Sequence, residues 1–312
     1  MPSEVPRRLL GRTNQLVSAV AMGGGHLGSA RLTDIEAVHL IHRGIDLGVT
    51  FLDTSWDFDE GRSEERMGAA LGRGGYRRRV FLATKFDGRD ARTATAQLEQ
   101  SLRRLETDHV DLWQFHENIR PDDAERAFAP GGAIEAMVAA RAAGKVRFLG
   151  FTGHKDPRYH VHMFEVAARN GFVFDTVQMP LNIADPHFAS FERNVIGVAQ
   201  QTDTGIIAMK TYGDRQILET RVATPLQMLH YSMNLPVASV VIGIDSVAVL
   251  DEIVTAAVSF RPLSEAQVAA MLARSAPLSV GGALERYKIS NEFDATMLHP
   301  EWLGPAALSS SG

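Results

Sequence analysis

The sequence predicts an α/β fold in which eight parallel strands close into a (β/α)8 TIM barrel, with an N-terminal β-hairpin and a C-terminal extension. Apolar runs of strand length alternate with amphipathic stretches of helix length from residue 17 to about residue 257. The runs consist of Val, Ile, Leu, Phe and Met with few alternating polar residues, which is typical of parallel strands buried on both faces. Eight successive β–α units most simply close into a barrel.

Each unit pairs one strand with one helix. The predicted strands are 17–23, 50–55, 80–85, 109–116, 146–152, 176–182, 205–210 and 239–244. The predicted helices lie near 34–47, 63–72, 93–105, 132–143, 158–170, 189–201, 224–234 and 246–257. Ser63 is predicted to cap the second helix, because it precedes two glutamates.

Two segments flank the predicted barrel, which spans about 17–257. Residues 8–16 indicate a short hairpin with its turn near Thr13 and Asn14, placed to plug the N-terminal mouth. A C-terminal extension, 258–312, contains one predicted helix near 264–272. No composition shift marks a linker, so we expect a single domain over 1–312.

Composition excludes several classes of function. The chain has 312 residues, a formal net charge of −5 and no cysteine. A mildly acidic balance disfavours nucleic-acid binding, and no window approaches the roughly 20 apolar residues of a membrane span. We therefore expect a cytoplasmic protein without thiolate catalysis or cysteine-bound metal.

A glycine-rich segment raises the alternative of a dinucleotide-binding Rossmann fold. Residues 23–28, Gly-Gly-Gly-His-Leu-Gly, match the pattern G-x-G-x-x-G after a predicted strand. In that fold the helix begins inside the glycine loop. Here Thr33 and Glu36 form a capping-box pattern that places the helix start later. We therefore interpret the glycines as room for a ligand at the end of the first barrel strand.

Polar residues at the ends of three predicted strands carry the chemistry. Asp53, Lys85 and His116 end strands two, three and four, and the C-terminal ends of barrel strands meet at one mouth. A lysine beside a carboxylate stays charged, and a histidine can donate to a carbonyl oxygen. Such a site is suited to hold and protonate a developing alkoxide. The structural alternative is an Asp53–Lys85 ion pair with His116 filling space.

No metal site is predicted. His160 and His162 are two residues apart on a predicted helix and point in different directions. His154 is near them, but no carboxylate cluster accompanies the three histidines.

Several motifs resemble the aldo-keto reductase superfamily over nearly the whole chain. They are Phe-Leu-Asp-Thr-Ser at 51–55, Gly-Arg-Ser-Glu-Glu at 61–65, Ala-Thr-Lys at 83–85, the segment 101–112 and the segment 144–150. The resemblance implies a (β/α)8 barrel, a nicotinamide cofactor across its C-terminal mouth, and hydride transfer between an aldehyde or ketone and its alcohol. It also implies a tetrad of Asp, Tyr, Lys and His, of which Asp53, Lys85 and His116 match three.

The fourth member does not match, because Phe58 occupies the tyrosine's position, five residues after Asp53. Phenylalanine has no hydroxyl, and the loss of a general acid typically slows a reaction by about 10² to 10⁴. One interpretation is an engineered Tyr→Phe substitution that traps a complex, which we favour. The other is a natural variant in which His116 or a water donates the proton, or a non-catalytic nicotinamide-binding sensor or partner protein.

The resemblance also assigns cofactor and substrate contacts. Those for the cofactor are Gly23, Gly24, Asp53, Thr152, Gln178, Met209, Lys210, Tyr212, Gly213, Gly243 and Ser246. Gln178 would hold the carboxamide, Met209 would lie on the nicotinamide, and 210–213 would follow the pyrophosphate. Trp56, Phe58 and His116 would line the substrate pocket.

The resemblance to the family implies NADP(H) in preference to NAD(H), although the negative charge of Asp245 would repel a 2′-phosphate. The substrate's identity, the preferred direction and the oligomeric state stay open.

Overall fold

A computed structural model describes residues 4–305 of the chain. It contains a closed barrel of eight parallel strands preceded by a two-stranded antiparallel hairpin. In chain order the strands are β1 (Arg7–Leu9), β2 (Leu16–Ser18), β3 (Val20–Gly23), β4 (Phe51–Asp53), β5 (Phe81–Phe86), β6 (Val110–Phe115), β7 (Val146–Thr152), β8 (Thr176–Pro180), β9 (Gly205–Met209) and β10 (Ser239–Gly243). Strands β3 to β10 follow one another around the barrel, and β10 closes it against β3. The predicted barrel is confirmed, and the Rossmann alternative is excluded.

Helices cover the outside of the barrel and extend the chain beyond it. The α-helices are α1 (Gly24–Gly28), α2 (Asp34–Asp46), α3 (Arg62–Leu71), α4 (Ala91–Arg104), α5 (Asp123–Phe128), α6 (Ala133–Ala142), α7 (Pro157–Arg169), α8 (Phe191–Gln201), α9 (Gln216–Thr220), α10 (Pro225–Asn234), α11 (Val247–Ser259), α12 (Glu265–Ser275), α13 (Arg286–Ile289) and α14 (Ala295–Leu298). None of the helices in residues 4–305 is long and apolar enough to cross a membrane.

Local sequence signals account for most helix starts. Thr33 caps α2 in the predicted capping box with Glu36, and Ser264 caps α12 in the same way. The prediction for Ser63 was wrong, because α3 begins earlier, after Gly61 at a φ of 93°. Ser63 lies inside α3, where its hydroxyl bonds to Thr54 and to the Gly24 carbonyl. Gly61 adopts a left-handed conformation that other residues adopt at a cost.

The first predicted strand, 17–23, is in fact two strands of different sheets. β2 pairs with β1 in the hairpin, whereas β3 pairs with β4 and β10 in the barrel. Ser18 explains the break, since its hydroxyl donates to the Val20 carbonyl and accepts from the Thr50 and Phe51 amides. These side-chain bonds replace ladder bonds where the chain changes sheet.

The hairpin packs against the interior of the barrel through Leu10 and Val17, which are both fully buried. Their cluster includes inward-facing residues of five barrel strands: Ala21, Phe51, Phe81, Ala83, Leu112 and Ile207. A side chain at Gly205 would clash with Leu10. The hairpin thus fills the N-terminal end, as predicted, and leaves the opposite end for ligands.

The C-terminal extension contains the predicted helix as α12 and then returns toward the C-terminal mouth of the barrel. The Arg89 amide donates to the Leu303 carbonyl at 2.9 Å, and Gln97 Nε2 donates to the Trp302 carbonyl at 3.0 Å. The last part of the predicted extension, 306–312, lies outside the described residues.

Candidate active site

A cavity of about 1100 Å³ lies where the C-terminal ends of the barrel strands meet. The predicted residues Asp53, Phe58, Lys85 and His116 all line it. Barrel pairing positions three of them, because Asp53 ends β4, Lys85 lies in β5 and His116 directly follows β6. The cavity therefore brings together the side chains that the strand-end argument predicted.

Lys85 and Asp53 form a buried ion pair. Lys85 Nζ lies 2.8 Å from Asp53 Oδ2 and donates to the Thr54 carbonyl at 2.6 Å. Both side chains are almost fully buried. A buried charge needs such a partner, since desolvation without compensation is costly. The Asp53 carboxylate thus holds the Lys85 ammonium group at the wall of the cavity.

Two glutamine side chains extend this pair across the barrel. Gln178 Nε2 donates to Asp53 Oδ2 at 3.1 Å, and Gln178 Oε1 accepts from Gln114 Nε2 at 2.8 Å. Gln178, the residue predicted to hold a carboxamide, lines the cavity. Gln114 lies behind it and fixes its orientation.

His116 lies between two carboxylates. Its Nδ1 atom is 2.9 Å from Asp87 Oδ1 and 3.4 Å from Asp57 Oδ1. Ser55 Oγ donates to Asp57 and lies 3.4 Å from the same Nδ1. Burial alone lowers the pKa of His116, but the negative charges of Asp57 and Asp87 outweigh it and raise the pKa to about 10. Burial, followed by repulsion from Asp57, raises the pKa of Asp87 to about 6.

Backbone hydrogen bonds hold the loops that carry these acids. The Trp56 amide donates to the Lys85 carbonyl at 3.1 Å, which keeps the loop after β4 alongside β5. The Asp87 amide donates to Gln97 Oε1 at 2.8 Å. Because Gln97 also bonds to Trp302, the extension and the Asp87 loop are connected.

Phe58 lies between Lys85 and His116. Lys85 Nζ is 5.2 Å from the centre of its ring, and the His116 ring meets it edge-on at 6.0 Å between centroids. The ring therefore lies close to both residues at the wall of the cavity.

Trp56 lies outside the cavity lining. Its indole Nε1 donates to Gln100 Oε1 at 2.6 Å, and its ring packs edge-on against Trp302 at 5.6 Å. Trp302 lines the cavity, together with Phe293 and Leu298 from the same extension. Trp56 thus supports the wall that Trp302 forms.

The predicted cofactor residues divide into two groups. Those that line the cavity are Gly23, Asp53, Thr152, Gln178, Met209, Lys210, Tyr212 and Gly243. Gly24, Gly213 and Ser246 do not line it. Gly24 packs against Thr54 and Ser63, where a side chain would clash. Ser246 caps α11 by accepting a hydrogen bond from the Val249 amide.

Three cations line the cavity, alongside the carboxylates of Asp214, Glu219, Asp245 and Glu252. Lys210, Arg215 and Arg221 line it, and none of them has a carboxylate within ion-pair distance among residues 4–305. Burial lowers the pKa of Lys210. The buried Thr211 hydroxyl has no hydrogen-bond partner within the described chain. Cations and an available hydroxyl fit the phosphates of a dinucleotide.

Sequence reasoning missed Asp57, Asp87 and the wall formed by the extension. Asp87 lies two residues after Lys85, so its position past a strand end was a usable signal. Asp57 lies in a loop whose next residues, Asp59 and Glu60, adopt left-handed conformations. No local pattern reveals that this turn aims Asp57 at His116.

Asp57, Asp87 and His116 also place three potential ligand atoms within 4.8 Å of one another, the geometry of a possible metal site. Two carboxylates around one ring nitrogen are equally accounted for by a protonated imidazole, since buried charges require partners. We do not assign a metal to this group.

Comparison with known proteins agrees with this geometry. The sequence model of the Aldo/keto reductase family matches residues 19–236. The 6-dehydroglucose reductase of Novosphingobium aromaticivorans is 32% identical over 182 residues, covering 53% of this chain and 55% of that protein. Methylglyoxal reductase YeaE of Escherichia coli K12 is 35% identical over 137 residues, covering 42% and 44%. The chain thus spans about half the length of the curated relatives it matches.

Among solved structures, the holo form of aldo-keto reductase AKR11C1 from Bacillus halodurans has a TM-score of 0.74 at 20% identity. The match covers 90% of this chain and 100% of that one, and it supports the fold. The family match spans more than half of the chain and contains Asp53, Lys85 and His116. The chain belongs to the aldo/keto reductase family.

Proposed function

We propose that this chain is an NAD(P)H-dependent oxidoreductase that interconverts an aldehyde or ketone and its alcohol. One observation carries the proposal: the Lys85–Asp53 pair and His116 face a cavity that Lys210, Arg215 and Arg221 also line. The family uses nicotinamide cofactors, and two relatives are named as reductases. The substrate class is a small-molecule carbonyl compound or alcohol.

The chain's own residues suit such a cofactor. Gln178 would hold the carboxamide, Met209 would offer a flat apolar contact, and Lys210 with Tyr212 would lie along the phosphates. Asp53, Gly23, Thr152 and Gly243 line the same cavity, whereas Gly24, Gly213 and Ser246 would act through the loops that they shape. The reduced nicotinamide, when bound, supplies the hydride.

The catalytic roles follow from charge. Lys85, paired with Asp53, polarises the substrate carbonyl and stabilises negative charge that develops on its oxygen. His116 donates a hydrogen bond to the same oxygen. Phe58 adds an apolar wall and no proton, so turnover is expected to be slow.

We favour NADP(H) over NAD(H). Arg215 and Arg221 line the cavity and suit a 2′-phosphate, but Asp245 and Glu252 also line it and oppose that charge. Fluorescence titration with NADPH and NADH gives the two dissociation constants. Tighter binding of NADH contradicts this preference.

A single-turnover experiment tests the function. The chain is loaded with NADPH or NADH, whichever binds more tightly, and mixed with 4-nitrobenzaldehyde while nicotinamide absorbance is followed. We expect oxidation at a rate that Lys85→Met reduces by about 10² or more. Binding without aldehyde-dependent oxidation favours a non-catalytic nicotinamide-binding sensor or partner protein, which Phe58 would suit. Absence of binding contradicts both functions.

Other properties belong to the same proposal. A single domain over 1–312, a cytoplasmic location and no nucleic-acid partner fit the acidic composition and the small-molecule cavity.

A further inference from the structure

We propose that His116, held between the carboxylates of Asp57 and Asp87, is the proton donor that this chain uses in place of the missing tyrosine hydroxyl. The inference rests on the proposed carbonyl reduction and deepens it by assigning the acid. It favours a natural active site over an engineered Tyr→Phe trap.

The acids approach one ring nitrogen of His116, Nδ1, and the other, Nε2, is available to a substrate. Asp87 Oδ1, Asp57 Oδ1 and Ser55 Oγ all approach Nδ1, at 2.9, 3.4 and 3.4 Å. Among the described residues, Nε2 has no hydrogen-bond partner, and His116 lines the cavity. A proton on Nδ1 is therefore fixed by the carboxylates, while a proton on Nε2 is available to a bound carbonyl oxygen.

The donor step balances in atoms and electrons. As the carbonyl carbon accepts a hydride, the C=O π electrons move to oxygen, which takes the proton from Nε2. A C–H and an O–H bond form, while the C=O π bond, the Nε2–H bond and the C–H bond of the reduced nicotinamide that would supply the hydride break. The imidazolium becomes neutral imidazole and keeps its Nδ1 proton toward Asp87. Water then returns a proton to Nε2 before the next turnover.

Other proton sources in the cavity are less suitable. Lys85 donates to Asp53 and to the Thr54 carbonyl, and losing a proton would leave the buried Asp53 charge without its partner. Burial raises the pKa of the Tyr212 hydroxyl, and the fully buried Tyr287 does not line the cavity and donates its hydroxyl to Glu285.

The charges around His116 favour its cationic form. Asp57 arrives on the loop after β4, and Asp87 on the loop after β5, whereas Lys85 on β5 opposes the cation. Adjacent Glu117 directs its carboxylate to the Ala295 and Thr296 amides. Two close acids outweigh one paired cation, which agrees with the raised pKa of His116.

Two readouts test the proposal. The first is a ¹⁵N NMR titration of the His116 ring in the full chain without cofactor. We expect both ring nitrogens to be protonated at pH 8.5 in the wild type. In the double variant, Asp57→Asn with Asp87→Asn, one of the two nitrogens should have lost its proton at this pH. If the double variant does not fold, the single variant Asp87→Asn takes its place, with an intermediate effect expected.

The second readout is the pH profile of single-turnover nicotinamide oxidation by 4-nitrobenzaldehyde. We expect the double variant to be at least about tenfold slower than wild type at pH 8.5 and within about twofold at pH 5.5, where its histidine regains a proton. A positional role for the two acids would lower the rate equally at both pH values.

Asp108→Asn is the matched control. Asp108 Oδ1 pairs with His109 Nδ1 at 2.7 Å, just before β6 begins, whereas His116 lies just after β6 ends. This second Asp–His pair is exposed, so its removal should change neither readout.

Several outcomes overturn the proposal. They are a neutral His116 at pH 8.5 in the wild type, an unchanged pH profile in the double variant, or a metal ion that co-purifies with the wild type and not with the double variant. A doubly protonated His116 without any aldehyde-dependent oxidation overturns the donor role. Because the NMR titration needs no cofactor, failure of the proposed function and failure of the histidine's charge are distinguished.

Discussion

At the residue scale, Phe58 supplies an aromatic ring to the wall of the cavity but has no hydroxyl that could donate a proton. The ring lies 5.2 Å from Lys85 Nζ and 6.0 Å from the His116 ring. Phe58 lines the same cavity as both residues. Under the proposed function, the residues around position 58 would suit a general acid, and the acid is assigned to the neighbouring His116.

Phe58→Tyr should raise the rate of carbonyl reduction by about tenfold or more, because it adds a second acid beside a cation that favours the phenolate. The reaction should also depend less on Asp57 and Asp87 than in the wild type. Nicotinamide-dependent reduction of 4-nitrobenzaldehyde measures both effects.

Phe58→Leu is the control for this change, since it alters the wall without adding a hydroxyl and should give no gain. A Phe58→Tyr chain with unchanged rate would contradict the idea that position 58 is the place of the general acid.

The strand-end residues could be predicted from the sequence, but Asp57 and Asp87, the acids that raise the pKa of His116, could not. Asp53, Lys85 and His116 each follow an apolar run, and barrel closure brings such positions together. Asp57 lies beside His116 in a loop whose turn contains two left-handed residues, Asp59 and Glu60. That conformation depends on packing among loops that are remote in sequence.

At the element scale, Glu117 ties the C-terminal extension to the barrel. Its buried carboxylate accepts from the Ala295 and Thr296 amides at 2.8 Å each and from the Thr296 hydroxyl at 2.5 Å. Three donors on one carboxylate form strong, charge-assisted bonds. They hold α14 over the cavity, where Leu298 lines the wall.

Glu117→Gln should weaken this local clamp, the hydrogen bonds that join the Glu117 carboxylate to α14, without unfolding the barrel. An amide group offers one acceptor oxygen in place of two, so the local opening free energy should fall by about 1.5–3 kcal/mol. Hydrogen exchange of the Ala295 and Thr296 amides should quicken by about tenfold or more, as measured by NMR.

Glu301→Gln provides the comparison, since Glu301 is exposed and, within residues 4–305, its carboxylate bonds to His299 alone. It should leave exchange in α14 unchanged. Equal acceleration in β6 and β7 of the Glu117 variant would mean global destabilisation and would contradict a local clamp.

Element boundaries were predictable where periodicity was long and caps were present. All eight barrel helices lie within a few residues of their predicted positions. The short helices α1, α5 and α9 were missed, since one or two turns carry too little periodicity to recognise. The break between β2 and β3 was missed because both pieces are apolar, and only the hydrogen bonds of Ser18 separate them.

At the scale of the whole molecule, two buried histidines make stability depend on pH in opposite directions. The folded-state pKa of His116 is raised from 6.5 to about 10. Its contribution to stability is therefore complete below about pH 6.5 and is lost as the pH rises toward 10. Burial lowers the pKa of His160 from 6.5 to about 3. Its contribution is present above about pH 6.5 and is lost as the pH falls toward 3.

His160 lies in α7 and is fully buried against the rings of Phe151 in β7 and Phe191 in α8. Folding keeps its imidazole neutral while the unfolded chain binds a proton, so acid favours unfolding. Between pH 7.5 and 5.0 this group should reduce the free energy of unfolding by about 2 kcal/mol, from about 1.4 kcal/mol per pH unit below 6.5. Urea denaturation at the two pH values should show a smaller loss in His160→Gln than in the wild type by about that amount. His39→Gln, at an exposed position, should lose as much stability as the wild type, and an equal loss in the His160 variant would contradict the assignment of this acid sensitivity to His160.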